Sequence, residues 1–178
     1  MYDERTIAVH EAGHAVAHCR FFPDMSRGEP TIVANEEENE AGYHKVLEEL
    51  SFPWTDEETP EQREAFKKYA TYACAGYAAT IAAGYGQEVA AYGCLSDFEM
   101  AQETSSLPLD EVKELAVEFM CRPENVVAVQ RISEELLKRH TLDADHVDVL
   151  VDLADGETTE DEYQRYLAMR KAAGQPID

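Results

Sequence analysis

The N-terminal part of the chain places its apolar residues with a helical rather than a two-residue period. Apolar side chains such as Ile7 and Val16 follow this pattern, which predicts a helix over residues 4–20. Asp3 stands where an N-cap is expected. Pro23 prevents the helix from continuing, because proline lacks the amide hydrogen that a helix interior needs.

Two short stretches after this helix have the composition of β-strands. Residues 31–35 are rich in β-branched side chains, and residues 42–47 can form the returning strand. The polar and acidic residues 35–41 between them predict a solvated loop. The pattern therefore predicts a β-hairpin.

A second long helix is predicted over residues 60–83. Thr59, Pro60 and Gln62 supply an N-cap, a first-turn proline and an amide at the third helical position. Gly84 follows its last residue and can end it.

Small side chains fill both predicted helices, over residues 8–17 in the first and 73–79 in the second. Two such helices can approach each other closely, which favours a central helix pair. Gly13 supports this arrangement, because a glycine inside a helix costs ~1 kcal/mol relative to alanine and indicates close approach of another backbone.

The second half of the chain has the pattern of successive helices. Ser96 and Glu99 have the spacing of a capping box and predict a helix that starts at Asp97, and Thr159 and Glu162 predict one that runs to about residue 173. Three more are predicted between them, over residues 109–121, 124–139 and 144–154. The fold class predicted is mainly α with a small β-hairpin or sheet.

The charge of the chain excludes some classes of partner. Among 178 residues, 15 are Lys or Arg and 37 are Asp or Glu, which gives a formal net charge of −22. A surface this negative repels phosphate backbones and anionic lipid headgroups, so we expect no nucleic-acid partner and no membrane partner. No apolar run approaches the ~18 residues of a membrane span, and the N-terminus does not have the pattern of a signal peptide. We expect a single cytoplasmic domain over residues 1–178.

The four cysteines do not form a known metal or disulfide motif. Cys19, Cys74, Cys94 and Cys121 include no C-x-x-C pair, and their spacings fit neither a zinc ribbon nor a disulfide framework. We interpret them as small, mostly buried thiols in a reducing compartment.

His10, Glu11 and His14 form the pattern H-E-x-x-H within the first predicted helix. Residues at positions i and i+4 share a helix face, so both imidazoles can reach one zinc ion at ~2.0–2.1 Å. Glu11 lies to the side of that pair and can take a proton from water that the metal activates. The motif predicts one zinc ion bound by the two histidines. The structural alternative is a pair of histidines satisfied by hydrogen bonds in the core.

A catalytic zinc site needs a third protein ligand. His18 is nearest in sequence, but a straight helix places it one turn beyond the metal, so we interpret it as a partly exposed polar residue. The longer pattern H-E-x-x-H-x-x-G-x-x-H is absent, because Cys19 and Arg20 follow His18. The other histidines lie in strand or helix contexts, where we expect no neighbouring metal ligands: His44, His140 and His146.

Residues 10–16, His-Glu-Ala-Gly-His-Ala-Val, resemble the active-site helix of the FtsH-type zinc peptidases, the membrane AAA proteases. Residues 74–79 resemble that family's G-G-R-A-A-E segment, and residues 95–101 resemble its S-N-D-L-x-x-A segment, in the family's order. The resemblance covers roughly residues 4–140. It implies a helical, zincin-like metallopeptidase domain whose third zinc ligand is Asp97.

The resemblance also implies a division of the domain, with a zinc-site part over residues 1–106 and a helical C-terminal part over 107–178.

The sequence departs from the pattern of this family in two ways. Tyr77 and Thr80 replace the arginine and the glutamate of the family's G-R-A-A-E. The chain also lacks the family's ATPase module and transmembrane segments, and the phosphate-binding pattern G-x-x-x-x-G-K-[ST] does not occur in it.

Asp97 has an alternative interpretation, since an acidic residue in the first turn of a helix complements the helix dipole by ~0.3–1 kcal/mol without any metal. If Asp97 is not the ligand, Glu99 and then His18 are the next candidates.

We therefore expect a zinc metalloendopeptidase that hydrolyses peptides or unfolded proteins without ATP. One Zn²⁺ ion is held by His10, His14 and Asp97, and Glu11 is the catalytic base. The alternative is a non-catalytic zinc-binding interaction or adaptor protein derived from such a peptidase. A third possibility is a helical protein without metal.

Overall fold

The computed structural model describes residues 3–23, 25, 28–34, 42–45 and 59–175. This part of the chain is mainly helical, as predicted, with nine helices and two short strands. The elements are α1 (Glu4–Phe21), β1 (Glu29–Thr31), β2 (Tyr43–Lys45), α2 (Pro60–Ala73), α3 (Ala75–Ala82), α4 (Gln87–Ala90), α5 (Leu95–Thr104), α6 (Leu109–Met120), α7 (Pro123–Arg139), α8 (Ala144–Asp155) and α9 (Glu160–Ala172).

Helix α1 lies at the centre of the fold. Asp3 caps it as predicted, because its carboxylate accepts a hydrogen bond from the amide of Thr6. Every residue over 8–19 is buried, since α3, α7 and the strands pack around the helix. A helix enclosed on all sides shows no amphipathic stripe, which explains the run of small residues in its sequence.

Helices α1 and α3 approach each other as closely as their small residues predict. A Cβ atom added to Gly13 would lie 2.6 Å from the carbonyl oxygen of Ala75 and 2.6 Å from Cβ of Ala79. Ordinary van der Waals contact starts at 3.4 Å. The packing of the two backbones therefore requires glycine at position 13.

The prediction of one continuous helix over residues 60–83 is wrong. The Thr59–Gln62 capping box is present, but α2 ends at Ala73 and Cys74 (φ −87°, ψ 5°) separates it from α3. Cys74 keeps helical hydrogen bonds of its own, since its amide donates to Ala70 and its carbonyl accepts from Ala78. The cause is tertiary, because α2 packs mainly against α5, whereas α3 packs mainly against α1 and α6. Local helix propensities therefore do not predict this break.

Strands β1 and β2 pair antiparallel. The limits predicted for the first strand, residues 31–35, are wrong, since β1 ends at Thr31. Beyond it the chain turns to the end of α7, where the amide of Ile32 donates to the carbonyl of His140. β2 begins one residue later than predicted. Parts of the predicted hairpin lie outside the described residues: 35–41 and 46–47.

The four helices α6 to α9 begin and end within one residue of their predicted limits. The capping box of Thr159 and Glu162 is present. The four-residue helix α4 was not predicted. The largest fully buried side chains include Met120 of α6, Ile132 of α7 and Leu150 of α8. Among the described residues, no helix has the length and apolar character that crossing a membrane requires.

The burial of the cysteines agrees with the interpretation of small, mostly buried thiols. Cys19, Cys74 and Cys94 are buried, and Cys121 is exposed.

Candidate metal centre

Helix α1 presents His10 and His14 on one buried face. Each residue is 7% exposed, and their Nε2 atoms lie 3.2 Å apart. The i, i+4 spacing accounts for this approach, because it places side chains one above the other on a helix. Both Nε2 atoms therefore border the same small space.

Asp97 reaches this space from α5. Its Oδ2 atom lies 3.2 Å from Nε2 of His10 and 3.4 Å from Nε2 of His14. The Oδ2 atom is buried and makes no hydrogen bond of acceptable geometry with either ring. The structure thus brings together the three residues expected to bind zinc, although Asp97 is distant from the histidines in sequence.

The start predicted for the helix that carries Asp97 is wrong. Helix α5 begins at Leu95, with Cys94 as its N-cap residue and no side-chain cap hydrogen bond. Gly93 has φ 81°, a conformation that suits glycine and lets the chain turn into the helix earlier than the capping pattern predicts. Asp97 is therefore the third residue of the helix, and Ser96 is exposed at its surface.

The three donor atoms fit a tetrahedral zinc site. For metal–ligand distances of ~2.0–2.1 Å, two ligands of a tetrahedron lie about 3.3–3.4 Å apart. The three separations observed here are 3.2, 3.2 and 3.4 Å. Two neutral imidazoles and one carboxylate are also a donor set that zinc accepts. A tetrahedral site with three protein ligands has one further position, which water occupies in catalytic zinc sites.

The ring of His14 is held in the tautomer that metal binding requires. Its Nδ1 atom lies 3.2 Å from the backbone carbonyl oxygen of Tyr72. A carbonyl oxygen can only accept, so Nδ1 carries the hydrogen and Nε2 keeps its lone pair. Tyr72 stands two residues before the break at Cys74, so the interruption between α2 and α3 lies beside the metal centre.

The ring of His10 is enclosed by Gly76 and Cys94. A Cβ atom added to Gly76 would lie 2.5 Å from the imidazole atoms, so the ring rests directly on the backbone of α3. The Sγ atom of Cys94 lies 3.8 Å from Nδ1 of His10.

A second donor set overlaps the first. His10, Cys94 and Asp97 offer ligand atoms that all lie within 4.8 Å of one another, and could hold a metal ion. The set of His10, His14 and Asp97 is tighter, and its separations match the zinc tetrahedron. A metal ion held by the tighter set would lie on the Nε2 side of His10.

The electrostatics of the site keep Asp97 ionised. Burial alone raises the pKa of its carboxyl, but the adjacent His14 and His10 outweigh burial and lower the pKa well below the ordinary 3.8. Burial alone lowers the pKa of His14, but the charge of Asp97 raises it above the ordinary 6.5. Without metal, the two residues therefore favour an ion pair, and a cation bound between them replaces the proton.

Glu11 lies between the metal ligands and the strands. It is 5% exposed, and a Cβ atom added to Gly42 would lie 3.2 Å from its Oε1 atom. Gly42 directly precedes β2. The carboxylate is thus next to both the metal ligands and the start of this strand.

Glu99 and His18, the other candidates for the third ligand, do not lie in the site. Glu99 is exposed on α5. The interpretation of His18 as partly exposed is wrong, since it is 2% exposed. Its ring packs 5.7 Å from that of Phe22 and 5.9 Å from that of Tyr72, measured between centroids. These aromatic neighbours, brought in by the fold, bury a side chain that sequence spacing leaves on the surface.

Two further histidines lie elsewhere. His146 is buried in the C-terminal half, with Nε2 2.9 Å from the hydroxyl of Tyr163. His140 ends α7 and is exposed.

Sequence reasoning missed the residues that support the ligands. Cys94 is three residues before Asp97, and Gly76 belongs to a small-residue stretch. Spacing from Asp97 is the signal that could have identified Cys94. The carbonyl of Tyr72 has no signal in the sequence, because its role depends on backbone position alone.

Two cavities lie away from the metal centre. One, of about 370 Å³, is lined by Arg5, Val129, Glu134 and neighbouring residues. Another, of about 610 Å³, lies beside Phe21 and α2. At the metal centre itself, His10, Glu11 and His14 are buried.

No family model and no curated protein matches the chain. The assignment of the site therefore depends on its own geometry: three donors at tetrahedral separations, a histidine tautomer fixed by a carbonyl, and a buried glutamate beside them.

Proposed function

We propose that this protein is a zinc metallopeptidase that hydrolyses peptide bonds in peptides or unfolded proteins without ATP. The observation that carries the proposal is the triangle formed by Nε2 of His10, Nε2 of His14 and Oδ2 of Asp97, with Glu11 beside it. Zinc bound there supplies Lewis acidity, which lowers the pKa of water towards ~7 and polarises a carbonyl group.

Glu11 performs the proton transfers in this proposal. Its carboxylate accepts a proton from the attacking water and then passes the proton to the nitrogen of the leaving amine. Because Glu11 is only 5% exposed, little bulk water surrounds its carboxylate. His10, His14 and Asp97 hold their positions throughout, because two helices and the Tyr72 carbonyl fix them.

The strands support a way to hold the substrate. β1 pairs with β2 on one side, and on the other Thr31 forms a bridge with Thr141. Among the described residues, the outer edge of β2 is therefore the edge that an extended peptide can join. Gly42, directly before β2, adjoins Glu11, so this strand begins close to the proposed catalytic carboxylate.

The proposal includes independence from ATP and a cytoplasmic location. The 178 residues include no phosphate-binding loop of the pattern G-x-x-x-x-G-K-[ST]. The free cysteines agree with a reducing compartment.

A second candidate function is a non-catalytic zinc-binding interaction or adaptor protein. The enclosure of the site favours it, since His10 and His14 are each 7% exposed and Glu11 is 5% exposed. A scissile bond must reach the metal in a peptidase but not in an adaptor.

Metal content and proteolysis together test the proposal. Protein purified without added zinc is expected to contain one zinc ion per chain and to cleave casein, an unstructured substrate. Glu11→Gln is expected to keep the zinc and to abolish cleavage, because an amide cannot accept the proton.

Asp97→Asn is the matched variant for metal binding. It keeps the size of the side chain and removes its charge, so zinc affinity is expected to fall by at least ~100-fold, more than loss of a supporting residue costs. Zinc without cleavage in the wild type supports the adaptor. Wild-type protein without zinc refutes both functions.

A further inference from the structure

Cys94 is buried beside the imidazole of His10, next to the ring nitrogen that does not face Asp97. Its Sγ atom lies 3.8 Å from Nδ1 of His10, whereas Nε2 of the same ring faces Asp97 at 3.2 Å. Cys94 is 0% exposed. The thiol therefore approaches one nitrogen of the ring and the donor triangle includes the other, although ligand atoms of Cys94 and Asp97 lie within 4.8 Å of each other.

The hydrogen bonds around Cys94 define which atom donates. Sγ lies 3.0 Å from the carbonyl oxygen of Ala90, which can only accept, so the thiol hydrogen points there. The sulfur lone pairs are left to accept from Nδ1 of His10. The hydrogen of His10 then lies on Nδ1, and the lone pair on Nε2 is available to a metal.

Cys94 is also joined to the third ligand through the backbone. It is the N-cap residue of α5, and Asp97 lies one helical turn after it. A shift of this turn moves both the sulfur that holds the His10 ring and the carboxylate that faces it.

We propose that Cys94 is a positioning residue of the metal centre, which fixes the tautomer and orientation of His10 and sets its place relative to Asp97. Metal-binding histidines ordinarily donate their second N–H to a carboxylate, a backbone carbonyl or water. Here His14 follows that rule through Tyr72, and His10 uses a thiol. This inference depends on the metal binding in the proposed function and not on peptide hydrolysis.

Cobalt(II) is the probe for this role, because it occupies zinc sites and its absorption spectrum reports a bound sulfur. Wild-type protein is expected to bind Co²⁺ without sulfur-to-cobalt charge-transfer absorption in the near ultraviolet. Cys94→Ala is expected to lower the affinity for Co²⁺ and Zn²⁺ by about 10- to 100-fold, as loss of an outer hydrogen-bonding partner does. Cys94→Ser, which keeps a donor and an acceptor, is expected to recover much of that affinity.

Cys19→Ala is the matched control. Cys19 is a buried thiol on α1, near Asp148 rather than the metal ligands, so its removal is expected to leave metal affinity unchanged. Circular dichroism of the metal-free variants verifies that each is folded. If Cys94→Ala does not fold, the metal affinity of Cys94→Ser still tests the positioning role.

The outcomes separate this inference from the proposed function. Unchanged metal affinity in both Cys94 variants overturns the positioning role while leaving the zinc site intact. A charge-transfer band in the wild type that disappears in Cys94→Ser also overturns it, because the sulfur is then a ligand. Failure of the wild type to bind Co²⁺ or Zn²⁺ refutes the metal centre itself, and with it this inference. Normal metal behaviour without casein cleavage refutes only the peptidase.

Discussion

Replacing Gly76 with alanine is expected to abolish tight zinc binding while the protein remains folded. The added Cβ atom would lie 2.5 Å from the ring of His10, whereas ordinary contact begins at 3.4 Å. The ring must therefore move by about 0.9 Å, the difference between these distances. Metal–ligand distances tolerate changes of only ~0.2 Å, so Nε2 of His10 leaves the coordination sphere.

The stability change in Gly76→Ala is expected to be small. Alanine improves helix propensity by ~1 kcal/mol, and overpacking costs ~1–3 kcal/mol. The net loss of ~0–2 kcal/mol is modest against the ~5–15 kcal/mol that stabilises a typical domain. Zinc affinity is expected to fall by at least ~100-fold, more than loss of a supporting residue costs.

Competition with a chromophoric chelator measures the zinc affinity of Gly76→Ala, and thermal unfolding of the metal-free protein measures its stability. Gly86→Ala is the matched control, because a Cβ atom there meets nothing within 4 Å. Wild-type zinc affinity in a folded Gly76→Ala protein would refute the assignment of His10 as a ligand that rests on α3.

Three other predictions concern ligands, packing and pH. His10→Ala and His14→Ala are each expected to remove bound zinc, and full zinc content by elemental analysis would contradict the site. Gly13→Ala is expected to lower the free energy of unfolding by up to ~2 kcal/mol, because an overpacking cost of ~1–3 kcal/mol against the backbone of Ala75 exceeds the ~1 kcal/mol gain in helix propensity. Chemical denaturation measures this change, and a stabilised variant would show that the helices can separate without cost. Burial, and next the charge of Arg139, lower the pKa of His146 from 6.5 to about 4. The unfolded chain therefore binds this proton first as the pH falls, and stability is expected to decline from pH 6.5 towards 4. The same titration of His146→Gln should lack that slope, and an identical slope would assign it to other groups.

The features that were predicted from the sequence are those decided by neighbours along the chain. The proximity of His10 and His14 follows from their i, i+4 spacing, which is local, and the caps at Thr59 and Thr159 follow from short patterns. The position of Asp97 beside the histidines is expected only from the family resemblance, and the capping argument for it placed the start of α5 incorrectly.

The features that were missed depend on the approach of distant segments. The break at Cys74 arises because α2 and α3 have different packing partners. His18 is buried by Phe22 and Tyr72, and Cys94 is significant because α5 carries it to His10. No local pattern contains these contacts.

The interruption at Cys74 implies a conflict between stability and metal affinity. In an unbroken helix each interior carbonyl bonds the amide four residues later. Cys74 separates α2 from α3 two residues after Tyr72, whose carbonyl oxygen lies 3.2 Å from Nδ1 of His14. Selection for thermal stability alone would favour a straight helix through this region. A variant stabilised in that way is expected to move the Tyr72 carbonyl relative to His14 and therefore to bind zinc less tightly.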